Sequence, residues 1–258
     1  MMDIIAYIRK LRAKGRSRNL ERANKGNYDD RFESEFKALR DQHRQTRAEP
    51  ILWEDRYVCL SERTAETEFD RHYIYHPAWA ARILAKTRPE KHVDISSTLS
   101  FCSIVSAFIP TEFYDFRPAP LVLDGLKCGA ADLTELPFAS NSIASLSCMH
   151  VLEHIGLGRY GDPLDANGDL TAMRELIRVL APGGDLLVAV PMGRERVQFN
   201  AHRIYDYHRL ISYFDGLTLQ EFALIPDGPV ADGLLAADAS LAAAQEYGCG
   251  CFWFKKPN

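Results

Sequence analysis

No stretch of this chain approaches the run of about 18 apolar residues that a membrane-spanning helix needs. Its first residues lack an apolar core closed by a small-residue cleavage site, which leads us to expect a cytoplasmic protein, with peripheral membrane attachment as the alternative. Cysteine is sparse and unpatterned: Cys59, Cys102, Cys128, Cys148, Cys249 and Cys251 lie scattered, most of them inside apolar segments. This excludes a disulfide scaffold and predicts buried free thiols. Cys249-Gly250-Cys251 is too tight and too isolated for a zinc site built from two such pairs. Internal repeats and low-complexity tracts are also missing. The net charge is only −4 over 258 residues, but it is unevenly spread. Residues 1–50 carry 13 Lys/Arg against 8 Asp/Glu, or +5, which leaves −9 for the rest. Such an arm suits an anionic surface or a partner of its own, and the acidic body argues against a nucleic-acid groove.

The sequence divides into three regions: a basic helical extension over 1–48, a helical and irregular lead-in over 49–90, and an α/β domain over 91–258. In the extension, Ile4, Ile5, Ile8 and Leu11 share a helical face, and Phe32, Phe36 and Leu39 repeat at helical spacing. Gly15 and Lys25-Gly26-Asn27 separate the two pieces. The first piece, with Arg9, Lys10, Arg12, Lys14, Arg16 and Arg18, either lies on an anionic membrane face or packs as an ordinary solvated helix. The lead-in predicts a short strand at Tyr57–Leu60 and a helix opened by Pro77 and closed by Pro89. Beyond it, strands are predicted at His92–Ile95, Phe113–Phe116, Gly129–Asp132, Ile143–Met149, Asp185–Val190, Thr218–Ile225 and Gly250–Phe254. Alternation of these with helices means a parallel sheet with right-handed crossovers.

Ligands of such open sheets bind beyond the carboxyl ends of the strands. Asp94, Asp115, Asp132 and His150 fall at four such ends. Asp115 follows Asp94 by 21 residues, the interval at which an acidic group meets ribose hydroxyls in dinucleotide-type folds. We therefore expect these four to line one pocket. His150-Val151-Leu152-Glu153-His154 has the spacing of an H-x-x-E-H zinc-protease motif. That chemistry needs a sustained helix, and Gly156 and Gly158 cut one short here.

Three segments resemble the class I S-adenosylmethionine-dependent methyltransferases: Asp132–Ile143, His150–Ile155, and Glu175–Gly184, which ends in Leu180-Ala181-Pro182-Gly183-Gly184. The likeness spans about residues 90–225. Residues 69–205 further resemble an uncharacterised branch of that superfamily, a domain of unknown function found among bacterial surface-glycan genes. The resemblance implies a Rossmann-like α/β fold: a mostly parallel seven-stranded sheet flanked by helices, with an N-terminal helical extension. It implies S-adenosylmethionine as cofactor, with Asp94, Ser96, Ser97 and Thr98 at its methionine end. Asp115 would take the ribose hydroxyls, Asp132 and Leu133 the adenine edge, and His150 would lie below the sulfonium. One feature departs from the family. Glycine is expected at Ser96, Thr98 and Ser100, where the backbone turns sharply against the ligand.

The expected reaction is methylation of a hydroxyl on a small-molecule or glycan acceptor, with His154, His202, Tyr160, Asp162 and Asp165 as candidate acceptor contacts or bases. A divalent metal held by His150, Glu153, His154 and His202 is an alternative to a purely structural role for these groups. Two further alternatives stand beside the enzyme. One is a scaffold that kept the fold and lost the reaction, and the other is a different reaction on a nucleotide-like ligand.

Overall fold

In the computed structural model the described residues are 30–228 and 233–258, and the chain divides into two units, residues 1–68 and 69–258. The basic helical piece around Arg9–Arg18 lies outside the described residues. Within the first unit, the spacing of Phe32 and Phe36 does form a helix, α1 (Asp30–Thr46). Both rings meet Trp53, at 6.1 and 4.8 Å between centroids. Tyr57–Leu60 is irregular rather than a strand, and Tyr57, Cys59 and Leu60 are exposed, so nothing there pairs its backbone.

The second unit opens with α2 (Arg71–Thr87). This helix starts six residues before Pro77, because the Asp70 side chain accepts the Tyr73 amide at 3.2 Å and caps it. Pro77 therefore sits inside the helix, not at its head. The Arg88 backbone turns left-handed at the other end, ahead of Pro89. The first four strands follow: β1 (His92–Ile95), β2 (Thr111–Asp115), β3 (Leu126–Ala130) and β4 (Ile143–Met149), with α3 (Leu99–Val105) after β1. Next come α4 (Gly168–Val179), β5 (Leu180–Met192) and a small hairpin of β6 (Arg196–Gln198) and β7 (His202–Ile204). Then α5 (Tyr207–Tyr213), β8 (Thr218–Ile225), β9 (Leu235–Ala236), α6 (Ala239–Ala243) and β10 (Gly248–Lys255) complete the unit.

The main sheet runs β3-β2-β1-β4-β5-β10-β8, with the two-residue β9 added at the β8 edge. The first five strands are parallel, and β10 runs antiparallel between β5 and β8. This is the seven-stranded, mostly parallel sheet expected from the sequence. β5 begins at Leu180 rather than at the predicted Asp185, so Ala181-Pro182-Gly183-Gly184 lies inside the strand instead of ahead of it. A register shift opposite Ile143–Ser145 absorbs the extra residues, and Gly183 takes φ 71° while its amide bonds the Lys256 carbonyl at 2.9 Å.

Side chains alternate across the sheet and feed two apolar cores. Leu186, Val188, Val190 and Phe252 join Met173 and Leu176 of α4 on one face. Leu187, Ala189, Cys249 and Cys251 join Trp79, Ile83 and Leu84 of α2 and Phe101 of α3 on the other. The Trp79 indole donates to Glu221 at 2.8 Å and fixes α2 against β8. All six cysteines are free, four of them buried.

Candidate functional site

At the end of β1 the chain turns through Ser96, whose φ is 58°. A non-glycine residue pays about 1–2 kcal/mol in that region. The turn is held by its own bonds: the Ser96 amide and hydroxyl both donate to the Tyr114 carbonyl, at 2.7 and 3.2 Å. The Ser97 amide donates to Asp94 at 3.0 Å, and the Ser97 hydroxyl accepts the Met149 amide at 2.9 Å. Thr98 caps α3 by accepting the Phe101 amide. Of the hydroxyl residues at the expected glycine positions, Ser96 and Thr98 are thus bonded to backbone groups, while the exposed Ser100 donates to the Thr98 hydroxyl at 3.3 Å.

Asp94 is fully buried and does not reach a cleft. It accepts from Ser147 as well as Ser97, and Ser147 also bonds His92 Nε2 at 2.8 Å. Ser147 gives its single proton to Asp94, so it accepts from His92, and His92 Nδ1 then accepts from Ser145 at 2.8 Å. Burial pushes Asp94 up to about 6 against these bonds, and burial drops His92 to about 3.

A cleft of about 140 Å³ opens beyond the ends of β1 to β4. Ser96, Phe116, Asp132, Leu133, Thr134, His154 and Tyr160 are among its walls. Asp132 accepts the amide and hydroxyl of Thr134, at 2.8 and 2.7 Å, which shapes the turn after β3. Asp115 ends β2 with one oxygen on the Arg117 amide at 2.7 Å, beside the cleft-lining Phe116. The expected single pocket is therefore corrected. Asp132, Leu133 and Ser96 line the cleft, Asp94 lies beneath it, and His150 faces a second cavity.

That second cavity, of about 530 Å³, is polar and lined by Tyr73, His150, Glu153, His154, Arg159, Asn200, Ala201, His202 and Tyr247. His150 leaves β4 with φ 58°, and its backbone amide donates a hydrogen bond to the Ala189 carbonyl at 2.7 Å. Its Nδ1 meets Glu153 Oε1 at 2.7 Å. Leu152–His154 makes only a single 3-10 turn, which removes the helix that a zinc protease requires. His154 Nδ1 donates to the Ala201 carbonyl at 2.6 Å, leaving Nε2 with its lone pair. Arg203 Nη1 donates to the Ile155 carbonyl at 2.6 Å and ties this turn to the β6–β7 hairpin. Burial lowers His154 and His202 from the usual histidine value, so both are neutral bases near pH 7. Burial raises Glu153, but His150 and His154 outweigh it and hold it below the usual carboxylate range. Tyr73 and Tyr247 are pushed up to about 12, chiefly by burial.

The loop from Leu157 to Asp165 stands over the first cleft. Asp162 accepts the amides of Gly156, Gly158 and Tyr160, so both its oxygens hold the loop together. The Asp165 carboxylate accepts the Asn167 amide at 2.9 Å. The Tyr160 ring meets His154 edge-on at 5.6 Å, with Arg117 over it at 4.5 Å. The predicted metal group does not assemble. Among the described residues the three donors that come within reach of one ion are His72, His150 and Cys249, which share only His150 with the expected set. His72, Tyr73 and His76 escaped the sequence reading because it began α2 at Pro77; their helical spacing with Trp79 and Ala80 was the available signal.

Residues 137–223 match a family model described as Caenorhabditis protein of unknown function, DUF268. No curated protein sequence matches significantly. Among solved structures, the N-methyltransferase NodS from Bradyrhizobium japonicum with S-adenosylhomocysteine is 16% identical, with a TM-score of 0.50 over 70% of this chain and 86% of NodS. The 1,6-didemethyltoxoflavin-N1-methyltransferase from Burkholderia thailandensis, with 1,6-didemethyltoxoflavin and S-adenosylhomocysteine bound, is 11% identical. Its TM-score is 0.50 over 71% of this chain and 79% of that one. The fold is that of the class I methyltransferases.

Proposed function

We propose that this chain transfers a methyl group from S-adenosylmethionine to a hydroxyl of a sugar or surface-glycan precursor, with His154 as the base. One observation carries this reading: His154 lines both the cleft at the strand ends and the polar cavity beside it. The cleft lies beyond the carboxyl ends of the parallel strands, where open α/β sheets bind their ligands. Phe116 and Leu133 offer apolar walls for a purine, and Asp115 stands at the end of β2 where an acidic group meets ribose hydroxyls. The residues therefore fit the adenosine end. The methionine end would lie at Ser96–Thr98, where two amides are spent on Tyr114 and Asp94, so weaker binding than on a glycine loop is expected.

When bound, S-adenosylmethionine supplies an electrophilic methyl group. The chain's own part is to orient the acceptor and remove one proton. Arg159, Asn200, His202 and Tyr247 give the polar cavity the donors and acceptors that a polyhydroxyl compound needs. His154 Nε2 takes the hydroxyl proton, because Nδ1 is anchored on Ala201. Ser96 and Ser97, bonded to backbone groups, favour one rival, a scaffold without cofactor. Transfer of labelled methyl from S-adenosylmethionine to a panel of sugars and nucleotide sugars separates the two. The full chain should label a hydroxyl acceptor, and His154→Ala should lower turnover by about 10²–10⁴-fold with cofactor affinity kept. Full turnover in that variant would remove His154 from the role.

A further inference from the structure

Five of the chain's eight histidines gather where α2, the turn after β4 and the start of β10 meet. Two of them, His72 and His76, lie one turn apart on α2 and so share a face of the helix. Their rings lie 5.1 Å from that of His150, His72 in a stacked arrangement. Cys249 enters from β10, fully buried. One donor atom from each of His72, His150 and Cys249 falls within 4.8 Å of the others.

Unsatisfied nitrogen marks the same spot. His150 is 7% exposed, and its Nδ1 is committed to Glu153, yet Nε2 has no partner. Neither ring nitrogen of the fully buried His76 has a partner. Buried polar atoms are normally bonded, and orphans of this kind call for an unseen partner. A histidine that gives one nitrogen to a carboxylate and keeps the other bare has the arrangement found behind metal-ligating imidazoles.

We propose that His72, His150 and Cys249 bind a zinc-type divalent cation, with His76 turning in as the fourth ligand. Imidazole and thiolate donors select such an ion over magnesium or calcium. For His72, His150 and Cys249, an ion bound at about 2.0–2.3 Å requires only small side-chain rotations from the present spacing, whereas His76 must swing its ring toward them. On binding, the Cys249 thiol loses its proton to solvent as the sulfur–metal bond forms. One thiolate and the Glu153 carboxyl group that is bonded to His150 then face the two positive charges in a buried place. The tight Cys249-Gly250-Cys251 pair, too isolated for zinc by itself, contributes one sulfur to ligands that lie far away in the chain. Four closed ligands make this a brace between α2 and the sheet. It stands independently of the methyl-transfer reading.

The test uses the full chain, stripped with a chelator and then titrated with Co²⁺ and Zn²⁺ separately. One equivalent of Co²⁺ should produce thiolate-to-cobalt charge transfer and strong tetrahedral visible bands, and Zn²⁺ should displace it and raise the unfolding temperature. Cys249→Ser should abolish the charge-transfer band and Cys251→Ser should keep it. His72→Ala and His76→Ala should each weaken Zn²⁺ binding about tenfold or more. If Cys249→Ser does not fold, the wild-type spectrum together with the half-buried His72→Ala decides. A folded wild type without the band, or a band lost through Cys251 instead of Cys249, overturns the proposal.

Discussion

Asp94 shows what a single buried side chain does to the pH response of the fold. Its pKa is about 6 in the folded chain against an ordinary 3.8, because burial outweighs the bonds from Ser147 and Ser97. A carboxyl raised on folding favours the fold below its unfolded pKa and loses that contribution as pH rises through the folded one. Between pH 4 and pH 8 the loss is on the order of 2 kcal/mol. Asp94→Asn should remove this dependence, so its stability relative to wild type improves from pH 4 to pH 8 in urea unfolding. Parallel pH profiles for the two proteins would contradict the assignment. Under the proposed reading, Asp115 acts on the ligand rather than on the fold. Asp115→Ala should weaken S-adenosylhomocysteine binding by about 1–3 kcal/mol with little change in stability, as calorimetry and urea unfolding would report.

At the scale of elements, the loop after β4 tolerates little change. Gly156 has φ 77°, and a side chain there would collide with the Asp165 carbonyl. Gly156→Ala should therefore cost about 2 kcal/mol or more and loosen the His154–Ala201 bond, seen as lower stability together with weaker ligand binding. Most of the elements themselves were legible. Ile143–Met149 reads as a strand because it is a short apolar run, and His92–Ile95 because it is bounded by a proline and a hydroxyl-rich turn. Pro77 misled, since a proline reads as a helix start while the true cap, Asp70, looks like any loop aspartate. The strand-end groups Asp132 and His154 could be found from local spacing. The gathering of His72, His150 and Cys249 could not, because no local pattern joins residues brought together only by sheet order.

For the whole molecule, the boundary between units falls after Glu68, and α2 supplies core residues to the second unit. A fragment of residues 69–258 should fold and unfold cooperatively, whereas one starting at residue 91 should aggregate for want of Trp79, Ile83 and Leu84. Circular dichroism melts of both fragments check this. Among the described residues no helix is long and apolar enough to cross a membrane. Methyl transfer by this chain requires that the cleft at the ends of β1 to β4 takes an adenosyl ligand although serine and threonine stand where glycine is expected. Isothermal titration of the full chain with S-adenosylhomocysteine measures this directly. Saturable binding at one site per chain, weakened in Asp115→Ala, is the predicted result; no heat at millimolar ligand would contradict the account.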